Sequence, residues 1–290
     1  MSDVDFGKTE KTDKVWLVTG ASTGFGRELV EYLLAEGARV VATARRVEGL
    51  KELETRYPER ALVAAMDVTD QKQVEVAIGA AVLWFGRIDV LVNNAGYGMV
   101  GAVEESAEEE FRPMFETNVF GLIRVTQAVL PQMRAQGSGH IVNLSSIGGL
   151  VATPGFGLYN ATKFAVEGLS EALAAEVKPL GITVTIVEPG PFRTKFLGKA
   201  GGEAQRSIPE YDQTSGKMRA YYTEQDGKQP GDPQKAVEAI VKAVEAEHPP
   251  LHLLLGASTI PRVKAKIEAL EKDLAEWETV TLGADYSAGR

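Results

Sequence analysis

Of eight tyrosines in the chain, Tyr159 alone has a lysine four residues on, in Tyr159-Asn160-Ala161-Thr162-Lys163. Residues four apart on a helix share a face, so this phenol and ammonium would open into one cleft. An unperturbed phenol titrates near about 10 and is a weak acid–base group at neutral pH. A lysine charge about 5 Å away, at an effective dielectric of about 20, offers roughly 3 kcal/mol, or about two pKa units. That would bring Tyr159 toward the range useful for proton transfer. Upstream, Ser145-Ser146 closes an apolar run. One of the two hydroxyls is expected at the same edge, where it could orient a carbonyl oxygen without competing for its proton; simple turn chemistry would also account for the pair. Asn118, in Thr117-Asn118-Val119-Phe120-Gly121, is polar within an apolar helical stretch. It calls for a partner or a kink, or is an amide satisfied by backbone.

A second constellation lies near the N-terminus, in Thr19-Gly20-Ala21-Ser22-Thr23-Gly24-Phe25-Gly26. It follows an apolar run and opens an amphipathic one. Glycines there let backbone N–H groups approach a pyrophosphate, and a helix N-terminus adds positive partial charge. The next apolar run ends at Ala44-Arg45-Arg46, with alanine where a free ribose hydroxyl would want a carboxylate. Arg45 can instead grip a 2′-phosphate through charge-assisted bonds, helped by Ser22, so NADP is expected over NAD. Asp67 and Val68 are placed to meet the adenine edge, although a helix cap ahead of Gln71 would also explain Asp67. Asn94-Ala95-Gly96 supplies small residues and amides against which a dinucleotide can lie.

These groups need a scaffold that brings several strand ends to one rim. Val15–Thr19, Arg39–Ala44, Leu62–Val68, Ile88–Asn93, His140–Ser145, Ile182–Val187 and Leu251–Leu255 read as strands. Most are nearly continuous in apolar residues, the pattern of parallel strands covered on both faces. Helices are expected at Gly24–Ala35, Gln71–Trp84, Glu108–Gln136, Leu158–Lys178 and Pro233–Glu247. The alternation predicts an α/β fold: one Rossmann-type doubly wound parallel sheet of about seven strands flanked by helices, with ligands at the carboxyl ends of the strands. Residues 1–13 read as a frayed tail and 14–290 as one domain, with a lid over about 192–232 that shows no strand pattern. A terminal helix is expected over about 260–279. Its stripe of Val263, Ile267, Leu270, Leu274 and Trp277 is expected to pack on the chain's own core, the alternative being a seam with a partner subunit.

Composition closes off several chemistries. The 31 Lys and Arg against 40 Asp and Glu give a net charge of −9, with no basic run, which argues against nucleic acid as a partner. Zero cysteines exclude disulfides, thiolate nucleophiles and zinc fingers. The three histidines make no metal site by spacing, since Pro249 and Pro250 separate His248 from His252. No apolar run reaches the roughly 18 residues of a membrane span, and Met1 to Thr12 lack the apolar segment of a signal peptide. A cytoplasmic location is expected.

The set T-G-x-x-x-G-x-G, N-N-A-G, Asn118, Ser146, Tyr159-x-x-x-Lys163 and Glu188-Pro189-Gly190 resembles the short-chain dehydrogenase/reductase family, over about Lys14 to Gly256. The stretches Ser145–Gly149 and Tyr159–Leu169 are similar to the 17β-hydroxysteroid dehydrogenase and retinol dehydrogenase branch. The resemblance implies a tetrad of Asn118, Ser146, Tyr159 and Lys163, Ser146 being favoured over Ser145 by the family's usual gap to the tyrosine. It implies hydride delivery from NADPH to a carbonyl carbon while Tyr159 protonates the oxygen and Ser146 holds it. Lys163 would lower the Tyr159 pKa and bond the nicotinamide ribose, and Asn118 would position a water. Pro189, Gly190 and Thr194 match the segment that fixes the nicotinamide amide. A homodimer or homotetramer built through the helices at about 108–136 and 158–178 is implied as well. A catalytically silent dinucleotide-sensing or scaffold protein on the same fold is the alternative.

The substrate is expected to be a bulky hydrophobic ketone, aldehyde or alcohol. Tyr97, Met99, Phe156, Phe192 and Phe196, with Leu150, Val151 and Leu197, lie near the expected pocket mouth. An apolar, aromatic lining of that kind suits such a compound better than a sugar.

Overall fold

A computed structural model describes residues 13–194 and 202–286. Its strands are β1 (Val15–Val18), β2 (Arg39–Ala44), β3 (Ala61–Ala65), β4 (Val90–Asn93), β5 (Met99–Val100), β6 (Gly139–Leu144), β7 (Ile182–Pro189), β8 (Gly202–Glu203) and β9 (His252–Leu255). The helices are α1 (Gly24–Ala35), α2 (Glu52–Arg56), α3 (Gln71–Phe85), α4 (Glu108–Phe115), α5 (Leu122–Gln136), α6 (Gly157–Val177), α7 (Lys217–Gln225), α8 (Pro233–Glu245) and α9 (Thr259–Leu282). Seven strands form one parallel sheet in the order β3-β2-β1-β4-β6-β7-β9. The order reverses between β1 and β4, which opens a crevice beyond their carboxyl ends.

Alternate side chains of each strand enter two separate cores. Trp16 and Val18 face α1 and α8, packing with Leu29, Leu33, Val237 and Ile240. Val15 and Leu17 face α3, α5 and α6, packing with Val74, Ile78, Val129 and Leu173. Both faces being dry explains why the strands read as unbroken apolar runs rather than alternating ones.

Several expected boundaries shift for local reasons. The strand expected to reach Val68 ends at Ala65, because the Asp67 carboxylate turns back to accept from Thr69 N and Thr69 Oγ1 at 2.9 and 2.8 Å. The helix expected over 108–136 is interrupted by a wide π turn at Glu116–Gly121. There Gly121 lies so close to α3's approach that a Cβ would come within 2.6 Å of Val68 Cγ2. The lid region carries structure that its sequence did not announce: β8 pairs with β5 in a separate two-stranded sheet, and α7 follows. Glu105, 2% exposed, clasps this segment to the turn after β5. It accepts from Arg219 Nη2 at 2.6 Å, Ile208 N at 2.8 Å and Ala102 N at 2.7 Å.

The terminal helix corrects the expectation that its stripe packs on the chain's own core. Ile267, Leu270, Leu274 and Trp277 are each at least half exposed, and α9 leaves the body of the fold soon after Thr259. Of the expected tail, Asp13 is described and pairs with Arg39 at 3.0 Å; residues 1–12 lie outside the described residues.

Candidate active site

The ends of six strands, β1, β2, β3, β4, β6 and β7, meet around a cleft of about 1450 Å³. Its floor begins at the turn after β1. Gly20 adopts φ +66° and Gly24 φ +56°, in the left-handed region that favours glycine. A Cβ on Gly20 would approach Ala95 Cα to 2.9 Å, and one on Gly26 would reach 2.5 Å from both Gly20 O and Asn94 Nδ2. Backbone therefore stacks on backbone, and the N-terminus of α1 opens straight into the cleft beside Ser22 and Thr23. Thr19 Oγ1 accepts from Asn94 N and Ala95 N, both at 2.9 Å, while Asn94 Nδ2 donates to Thr19 O at 2.9 Å. These bonds lock the end of β4 to the end of β1. The cradle fits a dinucleotide pyrophosphate, with Gly20, Ser22, Thr23, Gly24 and Phe25 along one side and Asn94, Ala95 and Gly96 along the other.

Arg45 and Arg46 are exposed on the cleft wall after Ala44, and among the described residues neither is tied up in an ion pair. Arg27, by contrast, is bound to Glu31 and Glu52. Asp67 and Val68 line the cleft wall beyond β3. The cap of α3 belongs to Asp70, which accepts from Lys72 N and Gln73 N, so the capping explanation for Asp67 falls away.

At the other end, α6 presents Tyr159 and Lys163 to the same space. Ser146 bonds the Tyr159 hydroxyl, and its Oγ also accepts from Gly148 N at 3.0 Å. Ser145 points away and donates to Glu167. Lys163 Nζ donates to Leu144 O at 2.7 Å and stands 5.8 Å from the centre of the Tyr159 ring. The expected lowering of the phenol pKa is not what this geometry gives. Burial pushes Tyr159 up to about 12, against a smaller opposing effect of the Ser146 hydrogen bond. Burial also brings Lys163 down to about 8, with Glu167 opposing, which leaves it mostly charged at neutral pH but not enough to offset the burial of the phenol.

Asn118 is buried in the π turn and does not line the cleft. Its Oδ1 accepts from Tyr97 N at 3.0 Å, and its Nδ2 donates to Tyr97 O at 2.8 Å and Thr162 Oγ1 at 3.1 Å. The side chain thus ties the Tyr97 backbone to Thr162 on α6, the backbone-satisfied arrangement. Pro189, Gly190 and Thr194 do line the cleft. Gly190 N donates to Leu255 O at 2.9 Å, which anchors this segment to the sheet edge.

Of the expected substrate residues, Tyr97, Phe156 and Phe192 line the cleft, with Val151. Phe192 also packs edge-on to Phe25 at 5.3 Å. Met99 and Leu150 do not line it; Met99 is buried in a small apolar cluster with Met114, Phe156 and Tyr159. Phe196 and Leu197 lie outside the described residues. Four wall residues that the sequence reading missed come from distant elements: Met218, Tyr221 and Tyr222 from α7, and Arg262 from α9. The Tyr222 ring stacks 4.5 Å from Phe156, and Arg262 Nη2 donates to Thr153 Oγ1 at 2.7 Å. The aromatic pair Tyr221-Tyr222 in a polar stretch was the available signal.

Behind Lys163 lies a buried acidic group. Glu188 Oε1 accepts from His252 Nδ1 at 2.6 Å, and Glu167 Oε2 lies 3.8 Å from the same nitrogen. Ligand-type atoms of the three residues fall within 4.8 Å of one another, a proximity that no sequence spacing revealed. Burial pushes the Glu188 carboxyl up to about 7, against the smaller pull of the His252 bond. A folded-state pKa above the ordinary value of 4.5 means the folded protein keeps this proton after the unfolded chain has lost it. Stability from this group is therefore full below about 4.5 and falls as pH rises to about 7. Glu188→Gln should remove that decline and raise neutral-pH stability by up to about 3 kcal/mol, read from urea unfolding between pH 4.5 and 8. An unchanged pH slope would refute the assignment.

Comparison with known proteins agrees with this geometry. A family profile described as short chain dehydrogenase matches residues 14–205. The chain is 37% identical over 272 residues to Oxidoreductase BOA17 of Botryotinia fuckeliana, covering 93% of this chain and 99% of that one. It is 39% identical over 249 residues to a 3-ketodihydrosphingosine reductase of Bacteroides thetaiotaomicron, covering 84% and 88%. Among solved structures, a short-chain dehydrogenase from Streptomyces avermitilis superposes with a TM-score of 0.88 at 47% identity, covering 95% of this chain and all of that one. A short chain dehydrogenase/reductase from Burkholderia phymatum in complex with NAD gives 0.79 at 25%, covering 91% and 96%. With the glycine cradle, the seven-stranded sheet and the Ser146–Tyr159–Lys163 cluster all in place, the chain belongs to the short-chain dehydrogenase/reductase family of oxidoreductases.

Proposed function

We propose that this oxidoreductase uses NADP(H) to interconvert a bulky hydrophobic ketone or aldehyde with its alcohol, with reduction as the favoured direction. The observation that carries the reading is the paired hydroxyls of Ser146 and Tyr159 at the inner end of a cleft that starts at the glycine cradle. Gly20, Ser22, Gly24 and Asn94 would hold a reduced dinucleotide along that cleft, and its nicotinamide would supply the hydride for the carbonyl carbon. Tyr159 then gives its proton at Oη to the oxygen that gains charge, while Ser146 Oγ donates to the same oxygen. With its pKa pushed up to about 12, Tyr159 stays protonated at neutral pH, and an alkoxide is still the stronger base. Lys163, fixed by Leu144 O, holds positive charge beside the ring and would bond the cofactor's ribose. Asn118 acts at one remove, by holding Tyr97 and Thr162 in position.

The preference for the phosphorylated dinucleotide rests on exposed Arg45 and Arg46 after Ala44, where no carboxylate is available to a ribose hydroxyl. The substrate class rests on the apolar wall of Val151, Phe156, Met218 and Tyr222, and is supported by the relative named for a ketone reductase. Phe120 and Phe164, 51% and 44% exposed near and on the long helices, support self-association through those faces. No helix among the described residues is long and apolar enough to cross a membrane, and the lack of cysteine suits the cytoplasm.

Titrating the protein with NADPH and NADH tests the cofactor reading. We expect tighter binding of NADPH, and Arg45→Ala should weaken NADPH by about tenfold or more with little change for NADH. Equal affinities in the parent chain would overturn it. An NADPH-consumption screen over steroids, retinal, aryl ketones and quinones tests the substrate class; turnover confined to sugars or small acids would sink it.

A further inference from the structure

The exposed face of α9 has a regularity that solvation does not explain. Ile260, Val263, Ile267, Leu270, Leu274 and Trp277 recur at 3-4-3-4-3 spacing along a 24-residue helix. All but Val263 are at least 50% exposed, although each is a large apolar side chain. At about 1.5 Å per residue the helix is roughly 36 Å long, about three heptads, enough for a six-layer two-helix seam. We propose that this stripe seats a second copy of the same chain, the two α9 helices pairing antiparallel.

The sequence selects that occupant and that direction. In an antiparallel two-fold pair, one register stacks Ile260 on the second copy's Trp277, Val263 on its Leu274 and Ile267 on its Leu270. Each contact occurs twice, and large side chains meet smaller ones. In the same register, the flanking positions set Lys264 against the second copy's Glu271 and Lys266 against its Asp273. All four charged pairs generated by the two-fold are of opposite sign, and the helix dipoles also oppose favourably. A parallel pair would instead put Trp277 on Trp277 and Asp273 near the second copy's Glu278. The surface is distinct from the aromatic faces near the long helices, and it holds whatever the substrate proves to be.

The test is sedimentation of the full chain over a dilution series, with substitutions confined to α9. We expect the parent to self-associate, and Leu270→Glu to weaken one association step by about a hundredfold. Lys266→Glu and Asp273→Lys should each weaken that step by about tenfold, because each sets like charges against the second copy. The double exchange K266E/D273K should restore it to within about threefold of the parent, since the pair is only reversed. Far-ultraviolet circular dichroism controls for helix content. A parent chain that stays monomeric at about 100 µM overturns the proposal. So does indifference to the single charge reversals, which is the outcome if residues outside the described set, or a different protein, cover the stripe. Failure of the double exchange to rescue rules out the antiparallel register.

Discussion

Replacing Tyr159 by phenylalanine should lower kcat by about 10²- to 10⁴-fold while leaving the dissociation constant for NADPH within about twofold of the parent. The expectation follows from what the substitution leaves behind. The ring keeps its edge-on contact with Phe156 at 6.1 Å and its place in the cluster with Met99 and Met114. Only the hydroxyl that bonds Ser146 disappears, so packing and the glycine cradle are untouched. Loss of rate without loss of cofactor affinity separates a proton donor from a structural tyrosine, and retained turnover would refute the role. Ser146→Ala should show a smaller loss, because Ser146 orients the oxygen but does not supply the proton. Lys163→Met would be a poorer probe, since Nζ also secures the end of β6 through Leu144 O.

Gly20→Ala should destabilise the fold by about 2–4 kcal/mol and abolish measurable dinucleotide binding. At φ +66° an L residue carries the left-handed penalty, and its methyl would meet Ala95 Cα at 2.9 Å, backbone that cannot swing aside. Relief by separating β1 from β4 would break the bonds of Thr19 to Asn94 and Ala95, and with them the floor of the cleft. Urea unfolding and fluorescence titration with NADPH read the two effects separately. Gly49→Ala is the matched control, since a Cβ there meets nothing within 4 Å. A Gly20→Ala protein as stable as the parent would show that the turn tolerates another path.

How much of this was legible beforehand depends on how far apart the partners lie in sequence. All seven strands of the parallel sheet were readable, because burial on both faces demands unbroken apolar runs that turn residues then punctuate. The bounds of α1 and β2 matched residue for residue, with a glycine turn at one end and Arg45 at the other. Ser146 and the cradle were equally plain, since each lies within a few residues of its own strand end, and Tyr159 and Lys163 were readable from their four-residue spacing on one helix. Long-range placement was not. Glu167, Glu188 and His252 come from three elements and share no pattern. The part of α7 in the cleft wall depends on Glu105, 114 residues from Arg219. The π turn could not be read either: helical periodicity gives only the mean pitch, and a single wide turn leaves little trace in it. The pKa of Tyr159 was misjudged for a related reason. Spacing along a helix gives the distance to a charge, but says nothing of how much water the surrounding chain removes.

The Glu105 clasp bears on how such an enzyme changes its diet over evolutionary time. Its four bonds come from one arginine, which donates twice, and from two backbone amides that any residue except proline can offer. The side chains of α7 that line the cleft take no part in it. Mutation can therefore exchange Met218, Tyr221 and Tyr222 for others while α7 keeps its moorings, so the wall can be reshaped without rebuilding its attachment. Directed libraries confined to those three positions should yield folded variants with altered selectivity far more often than libraries that include Glu105 or Arg219.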